Sequence, residues 1–146
     1  MYRICVMPGD GIGQEVIPAA VQVLQALPLA MTFVPADAGW GCFERRGVSV
    51  PDETLAAIRD SHAALFGAVS SPMRKVEGYR SAVITMRQQL DLYANLRPVV
   101  TIPIPSSRRD VDMVVVRENT EGLYVGQEER LADRAIARRV ITVRGS

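Results

Sequence analysis

The chain has 146 residues, of which 48% are hydrophobic and 23% are charged, and its formal net charge is +1 at pH 7. This balance excludes intrinsic disorder, because the apolar content is too high and the net charge too low. No apolar run approaches the roughly 18 residues of a membrane-spanning helix, and the first residues lack the apolar segment of a signal peptide. We therefore expect a soluble, cytoplasmic protein that does not bind membranes.

Cysteine and lysine usage narrows the function classes further. Cys5 and Cys42 are too few for a disulfide framework or a thiolate metal cage. Lys75 is the only lysine, so arginine supplies nearly all of the positive charge. Acidic residues are interleaved among the arginines, and the chain has no block of five like charges. We therefore expect no nucleic-acid binding.

The first ninety residues alternate short apolar runs with amphipathic segments. The pattern predicts strands at 2–7, 31–35 and 63–66, helices at 14–27, from about 51, and at 81–90, a glycine turn at 8–13 and a loop at 69–78. Strands that alternate with helices indicate an α/β fold with a largely parallel sheet.

The pattern changes after residue 90. It predicts strands at 92–100, 111–116 (buried), 123–127 and 140–143, a proline-stiffened linker at 101–109, a polar turn at 117–122, and a charged segment at 128–138 that is either a helix or an extended arm. No partner follows the strand at 140, so we expect the chain to be a fragment of a longer protein.

A glycine-rich turn, Gly9-Asp10-Gly11-Ile12-Gly13, lies between the first strand and the first helix. Glycines there allow a ligand to approach the backbone at a helix N-terminus. The turn fails the dinucleotide-binding pattern, because Gln14 stands where that pattern requires glycine. By itself the motif is equally compatible with a plain strand–helix turn.

Three arginines occupy structured positions, and a tyrosine follows the last of them. Arg87 lies late in a helix, Arg97 lies within a strand, and Arg117 ends a strand. Ligands bind at the carboxyl ends of parallel strands, and converging guanidinium groups suit a di- or tricarboxylate. The alternative is that each arginine pairs with a nearby carboxylate, such as Asp91, Asp112 or Glu118.

For two further residues, spacing alone favours a structural role over a catalytic one. Spacing alone indicates that Tyr124 is a half-buried tyrosine of a strand. A phenol is a weak acid at pH 7 unless nearby cations stabilise its anion, so spacing by itself does not indicate a catalytic role. His62 is the sole histidine and begins a strand.

Three segments, residues 8–15, 90–98 and 116–124, together resemble the β-decarboxylating dehydrogenases. That family includes the isocitrate, 3-isopropylmalate and homoisocitrate enzymes. The match runs nearly from end to end of the chain but covers less than half of a family member. It implies the truncated form of a non-Rossmann α/β fold, which accounts for the failed dinucleotide fingerprint. Residues 1–98 are then part of the large domain, and residues 99–146 begin the small, dimerising domain.

The resemblance implies an enzyme that oxidises a small 2-hydroxy di- or tricarboxylate and releases its β-carboxylate as carbon dioxide. By the family pattern, the residues that bind substrate carboxylates are Arg87, Arg97 and Arg117. Tyr124 is the general acid in this pattern, and Ser81 fits a serine that isocitrate enzymes use on a carboxylate.

The resemblance also implies a nicotinamide cofactor and a divalent metal. Ser71, with Val69 and Ser70 in the same loop, touches the substrate and the nicotinamide, and Ile12 flanks the cofactor. The expected cofactor is NAD, with NADP as the alternative, because the loop that distinguishes the two in this family lies beyond residue 146. The ligands of Mg²⁺ or Mn²⁺ lie beyond residue 146, so the chain alone is expected to be inactive. Residues from about 123 onward form an inter-subunit arm, and the protein is a homo-oligomer, either a dimer or a tetramer.

Substrate choice in this family is read largely by the segment before Arg87. Residues 71–76, 38–40 and 43–47 are most similar to bacterial homoisocitrate dehydrogenases of lysine biosynthesis. Ile84, however, is apolar, as in isopropylmalate enzymes, so a distal carboxylate then needs Arg74 or Arg80. We predict homoisocitrate, with isocitrate accepted. The alternatives are 3-isopropylmalate, in leucine biosynthesis, and a non-catalytic assembly module.

Overall fold

A computed structural model gives the structure of residues 1–145, which form two compact units. The first is Met1–Leu90, and the second begins at Asp91. The predicted domain boundary after residue 98 lies within the second unit. How these residues divide between the domains of the whole protein stays a prediction.

Residues 1–90 form a three-stranded parallel sheet and four α-helices. The strands are β1 (Tyr2–Gly9), β2 (Met31–Pro35) and β3 (Ala63–Ala68), and the helices are α1 (Gly13–Gln25), α2 (Trp40–Arg46), α3 (Asp52–Arg59) and α4 (Ala82–Gln89). The strand order is β2-β1-β3, and both pairings are parallel. The predicted α/β architecture is confirmed here. Helix α2 was not predicted, because its seven residues are too few to show a helical period.

The central strand β1 is buried on both faces. Cys5 and Met7 are 0% and 1% exposed, and they join Leu55 of α3 and Met86 of α4 in the hydrophobic core. Val6 points to the opposite face of the sheet by strand alternation and is also buried. A continuous apolar run is therefore what this strand requires, as in other parallel sheets covered on both sides.

The carboxyl ends of β1 and β3 approach each other closely. Gly9 is paired with Ala68, and its φ of +77° is a conformation that strongly favours glycine. A Cβ atom at Gly9 would lie 2.1 Å from the carbonyl oxygen of Ala68. From β1 the chain crosses to β2 on one side and later returns to β3 on the other. This edge is thus a topological switch point, where ligands bind in open α/β sheets.

From Asp91 to residue 145 the strands pair only in antiparallel fashion. Strands β4 (Ala94–Val100) and β5 (Asp112–Glu118) form one pair, β6 (Glu128–Arg130) and β7 (Ala135–Ala137) form another, and Leu123–Val125 is a 3₁₀ turn. The extended form of the predicted arm is confirmed by β6 and β7. A helix there is wrong.

Three predictions for this unit are wrong. The strand at 111–116 was expected to be buried, but every residue of β5 is exposed. The strand at 123–127 is a 3₁₀ turn, because Gly122 and Gly126 on either side of it have positive φ values. The strand at 140–143 is reduced to an isolated bridge between Val140 and Gly122.

Within residues 1–145, no helix is both long and apolar enough to span a bilayer.

Candidate functional site

The switch-point edge of the sheet carries the residues predicted to touch a cofactor. Ile12 precedes α1 and its side chain is 59% exposed, although it is apolar. Val69, Ser70 and Ser71 follow β3 directly, and the two serines are exposed. Because Gly9 is paired with Ala68, the turn that holds Ile12 and the loop that holds the serines leave the sheet side by side. The structure therefore brings these four residues to one edge.

Asp10 connects three segments at this edge through hydrogen bonds, and this role was not predicted. Its carboxylate accepts hydrogen bonds from the backbone N–H groups of Trp40 (2.7 Å), Gly41 (2.8 Å) and Ser70 (2.9 Å). Burial raises the pKa of Asp10, but these hydrogen bonds and the nearby Arg45 outweigh it and hold the pKa below its ordinary value. An aspartate between two glycines directly after a buried strand was the signal that could have revealed it.

Ser81 and Arg87, both predicted to bind substrate, lie at opposite ends of helix α4. Ser81 is the residue before the helix, and Arg87 lies in its last turn; both are half-buried. Ile84, on the same helix, is 44% exposed despite its apolar side chain. Arg87 belongs to the first compact unit, whereas Arg97 and Arg117 belong to the second.

Arg97, Arg117 and Tyr124 are brought together in the second unit. In the antiparallel register Arg97 is opposite Val115, and Asn95 is opposite Arg117. The two arginines are therefore diagonal neighbours on one face of the β4–β5 pair. The guanidinium of Arg117 donates a hydrogen bond to the hydroxyl of Tyr124 and lies 5.6 Å from the centre of its ring. Arg117 lies near the carboxyl end of a strand, as predicted, but that strand is antiparallel rather than part of a parallel sheet.

Asn95 is a second residue that the sequence did not single out. Its side-chain oxygen accepts a hydrogen bond from Nε of Arg97, at 3.3 Å. It lies between the two arginines on the same face. Its place two residues before Arg97 in a strand was the available signal.

The alternative that these arginines only pair with neighbouring carboxylates is wrong for residues 1–145. Asp91 pairs with Arg144 at 2.6 Å, and the carboxylate of Glu118 accepts bonds from Thr120 and Glu121. None of the three predicted arginines forms an ion pair within the described chain. Their guanidinium groups are thus available to a ligand that carries carboxylates.

A cleft of about 520 Å³ lies elsewhere in the second unit. Its lining includes Tyr93, Val116, Glu118 and Arg144. Val116 and Glu118 alternate with Arg117 along β5, so they point away from the face that holds the predicted site. The cleft and the arginine–tyrosine cluster are therefore separate features. Within residues 1–145, no group of three or more His, Cys, Asp or Glu side chains could hold a metal ion.

Known proteins resemble this chain over nearly its whole length. A family model described as isocitrate/isopropylmalate dehydrogenase matches residues 3–144. An isocitrate/homoisocitrate dehydrogenase of Thermus thermophilus is 59% identical over 145 residues, which are 99% of this chain and 43% of that protein. The 3-isopropylmalate dehydrogenase of Methanothermobacter thermautotrophicus is 46% identical over 141 residues, 96% of this chain and 41% of that protein.

A solved structure gives the same result. The crystal structure of isocitrate dehydrogenase from Methylococcus capsulatus matches with a TM-score of 0.85 and 38% identity, over 99% of this chain and 44% of that one. The chain therefore spans less than half the length of these relatives.

Proposed function

Because the chain belongs to the isocitrate/isopropylmalate dehydrogenase family, we propose that the whole protein catalyses the oxidative decarboxylation of homoisocitrate, and also accepts isocitrate, in lysine biosynthesis. The proposed cofactors are NAD and Mg²⁺ or Mn²⁺. The observation that carries the proposal is the pair of Arg97 and Arg117 on one face of the β4–β5 pair, with the hydroxyl of Tyr124 hydrogen-bonded to Arg117. We propose that the 146 residues alone are inactive.

Guanidinium groups without carboxylate partners suit a substrate that bears several carboxylates. Each can form two parallel hydrogen bonds with one carboxylate, which fixes its orientation as well as its charge. We propose that Arg97 and Arg117 each bind a substrate carboxylate from the shared face, and that Arg87 binds another. Asn95 helps to orient Arg97 through its contact with Nε.

The hydrogen bond between Arg117 and Tyr124 suits a general acid. Arg117 has only donors, so the phenol oxygen must be the acceptor and the phenol proton is left free for another group. After oxidation at C2 and loss of carbon dioxide, the substrate is an enolate whose carbon must take a proton. Tyr124 supplies that proton in our proposal, and the adjacent guanidinium stabilises the phenolate that remains.

The switch-point edge fits a nicotinamide. Ile12 offers an exposed apolar side chain for the flat face of a ring, and Val69, Ser70 and Ser71 offer an adjacent loop at the same edge. When bound there, NAD would accept the hydride from C2 of the substrate. The metal is different, because residues 1–145 contain no cluster of ligands for it. We propose that its ligands lie beyond residue 146.

The distal group of the substrate is where the two leading substrates differ. Homoisocitrate requires a cation near helix α4, and Arg74 and Arg80 have no carboxylate partner within the described residues. 3-Isopropylmalate requires an apolar surface instead, and the exposed Ile84 beside Val83 favours it. It is therefore the second candidate.

We also propose that the protein is a cytoplasmic homo-oligomer, with residues from about 123 onward in an inter-subunit arm. Every residue of β6 and β7 is exposed, which leaves these short strands accessible to a second subunit.

The first test compares substrates on the whole protein. We would measure kcat/KM for homoisocitrate, isocitrate and 3-isopropylmalate with NAD and Mg²⁺, following reduced cofactor by absorbance. Homoisocitrate should be preferred, and Arg80→Ala should reduce that preference. A higher kcat/KM for 3-isopropylmalate would favour the second candidate, and no turnover of any of the three would contradict the family activity.

The second test addresses the general acid. Tyr124→Phe should lower kcat by about 10²–10⁴-fold, the usual contribution of a positioned proton donor. Tyr93→Phe is a matched control, because Arg144 lies 5.8 Å from its ring centre, much as Arg117 lies over Tyr124. Equal effects of the two substitutions would contradict the assigned role.

A further inference from the structure

The backbone of Ser70 is held through both of its polar groups, which belong to the successive peptide groups that join it to Val69 and to Ser71. Its N–H donates to Oδ2 of Asp10 at 2.9 Å, and its carbonyl oxygen accepts a hydrogen bond from the hydroxyl of Tyr79 at 3.3 Å. Asp10 lies in the turn after β1, whereas Tyr79 lies beyond the far end of the loop that follows β3. Two distant segments of the first unit therefore fix the peptide groups on either side of the Ser70 Cα atom.

Asp10 and Tyr79, the two residues that hold the Ser70 backbone, both contact helix α2. Oδ2 of Asp10 also accepts the N–H of Trp40, and Oδ1 accepts that of Gly41. The ring of Tyr79 packs edge-on against Trp40 and Phe43, with both centre-to-centre distances at 5.2 Å. The first turn of α2 thus fixes the carboxylate, and its aromatic side chains fix the phenol.

The carboxylate is enclosed tightly enough to act as a rigid support. A Cβ atom at Gly39 would lie 2.5 Å from Oδ2 of Asp10, so only glycine fits there without a shift. Hydrogen bonds from N–H groups to an ionised carboxylate are about twice as strong as neutral ones. Three of them converge on this one side chain, which restricts where Ser70 can move.

We propose that Asp10 and Tyr79 are positioning residues that clamp the backbone on both sides of Ser70 and so hold Ser71 in place for substrate and nicotinamide. This inference rests on the proposed function for what Ser71 touches, although the clamp itself rests on the contacts above. A displacement of about 1 Å at a reacting centre can cost about 100-fold in rate. The loop beyond Ser70 is exposed as far as Gly78 at most of its positions, so it has little other support.

The direct test is hydrogen–deuterium exchange of the whole protein, followed by mass spectrometry on peptides that cover residues 67–72. Asp10→Asn should raise the exchange rate of the Ser70 amide about tenfold or more, because a charge-assisted bond is lost. Asp37→Asn is the matched control, since Asp37 pairs with Arg45 of α2 at 2.7 Å but has no contact with Ser70. The control should leave exchange at residues 67–72 unchanged.

The second readout separates positioning from general stability. Asp10→Asn should lower kcat/KM for the preferred hydroxy acid by about 10–100-fold, mainly through kcat. Asp37→Asn should change it less than about twofold, even where the two variants have the same Tm. Tyr79→Phe keeps the aromatic packing and removes only the hydroxyl, so a loss of about 3–10-fold is expected. Tyr2→Phe, at the far end of β1, should have no effect.

The outcomes distinguish this inference from the proposed function. Unchanged exchange at residues 67–72 in both Asp10→Asn and Tyr79→Phe would overturn the clamp, as would losses of kcat/KM that only follow Tm. If Asp10→Asn does not fold, Tyr79→Phe decides alone. If the unsubstituted protein oxidises none of the hydroxy acids, the proposed function fails, and the exchange experiment still decides whether the clamp exists.

Discussion

The two compact units bury their strands in opposite ways. In the first unit β1 lies between layers, and its residues Cys5 and Met7 are almost completely inaccessible. In the second unit every residue of β5 is exposed, and β4 is exposed at all positions but Asn95. The first unit carries its own core and presents one ordered edge. The second unit presents two open faces, so its strands depend on whatever covers them.

The two faces of the β4–β5 pair are chemically different. One holds Asn95, Arg97 and Arg117, the polar residues of the proposed substrate site, beside Val99, Met113 and Val115. The opposite face is apolar at its centre, with acidic residues only at its two ends, and it holds Leu96, Pro98, Val100, Val114 and Val116 between Asp112 and Glu118. The reverse face is therefore the more apolar of the two, and an exposed apolar face of this kind is expected to be covered.

The largest expected difference between the units is in the free energy of unfolding that is lost when an apolar side chain is truncated. Met7→Ala should lower the free energy of unfolding of the chain by about 2–5 kcal/mol, because it leaves a cavity in a packed core. Val114→Ala should change it by less than about 0.5 kcal/mol, because that side chain is 58% exposed. Chemical denaturation of both variants at a concentration below the Kd of self-association measures this, and comparable losses would show that β5 is buried within the monomer.

Substitution of a glycine should cost more stability in the first unit, where backbone atoms lie close to Gly9, than in the second, where Gly126 has open space around it. Gly9→Ala combines a positive φ with a backbone contact at 2.1 Å and should cost about 2–5 kcal/mol. Gly126→Ala has a similar φ, +67°, but open space around it, so only about 1–2 kcal/mol is expected. Thermal unfolding of the two variants gives the comparison. Equal costs would mean that β1 and β3 are not held together at Gly9.

The apolar reverse face should make the chain associate with itself. Burying a valine side chain contributes about 1.5–3 kcal/mol, so Val116→Lys should raise the Kd of association about 10- to 100-fold. Val23→Lys on α1 is the control, because Val23 is similarly exposed (67% against 64%) in the other unit. Light scattering coupled to size-exclusion chromatography measures both. A monomeric unsubstituted chain would contradict this prediction.

Sequence reasoning located the elements of the first unit well, because their pattern is enforced by burial. The run from Ile4 to Met7 is apolar throughout since β1 is covered on both faces, and the strand Met31–Pro35 has the predicted bounds. Short helix α2 was missed for lack of a period. Asp10 was missed as well, because its partners at residues 40, 41 and 70 are distant in sequence and only the fold brings them together.

The second unit was harder to predict, because its apolar residues are not buried by other described residues. Val114–Val116 suggested a buried strand, yet these valines are exposed. The antiparallel pairing of β4 with β5 could not be read from either strand alone, and it is this register that places Arg97 near Arg117. The contact between Arg117 and Tyr124 depends on the turn that begins at Gly122, whose positive φ no periodicity reveals.

Each unit also has a carboxylate held by several hydrogen bonds, but in different surroundings. Asp10 is half-buried and bridges three segments of the first unit. Glu118 is exposed and accepts hydrogen bonds from the turn that follows it, at Thr120 and Glu121. Burial raises the pKa of Glu118, but the hydrogen bonds together outweigh it and hold the pKa below its ordinary value.

The smallest expected effect is on the pH dependence of the free energy of unfolding. The pKa of Asp10 is lower in the folded chain than in the unfolded chain, so its contribution is fully present above about pH 4 and is lost as pH falls through the folded pKa. Asp10→Asn should make the free energy of unfolding less dependent on pH below about pH 4. Glu118→Gln should flatten it less, since a local turn in solvent unfolds at little cost to the rest of the chain. Denaturation curves between pH 7 and pH 2 give both slopes. A larger flattening by Glu118→Gln would mean that the second unit, despite its open faces, holds its carboxylate more firmly than the first.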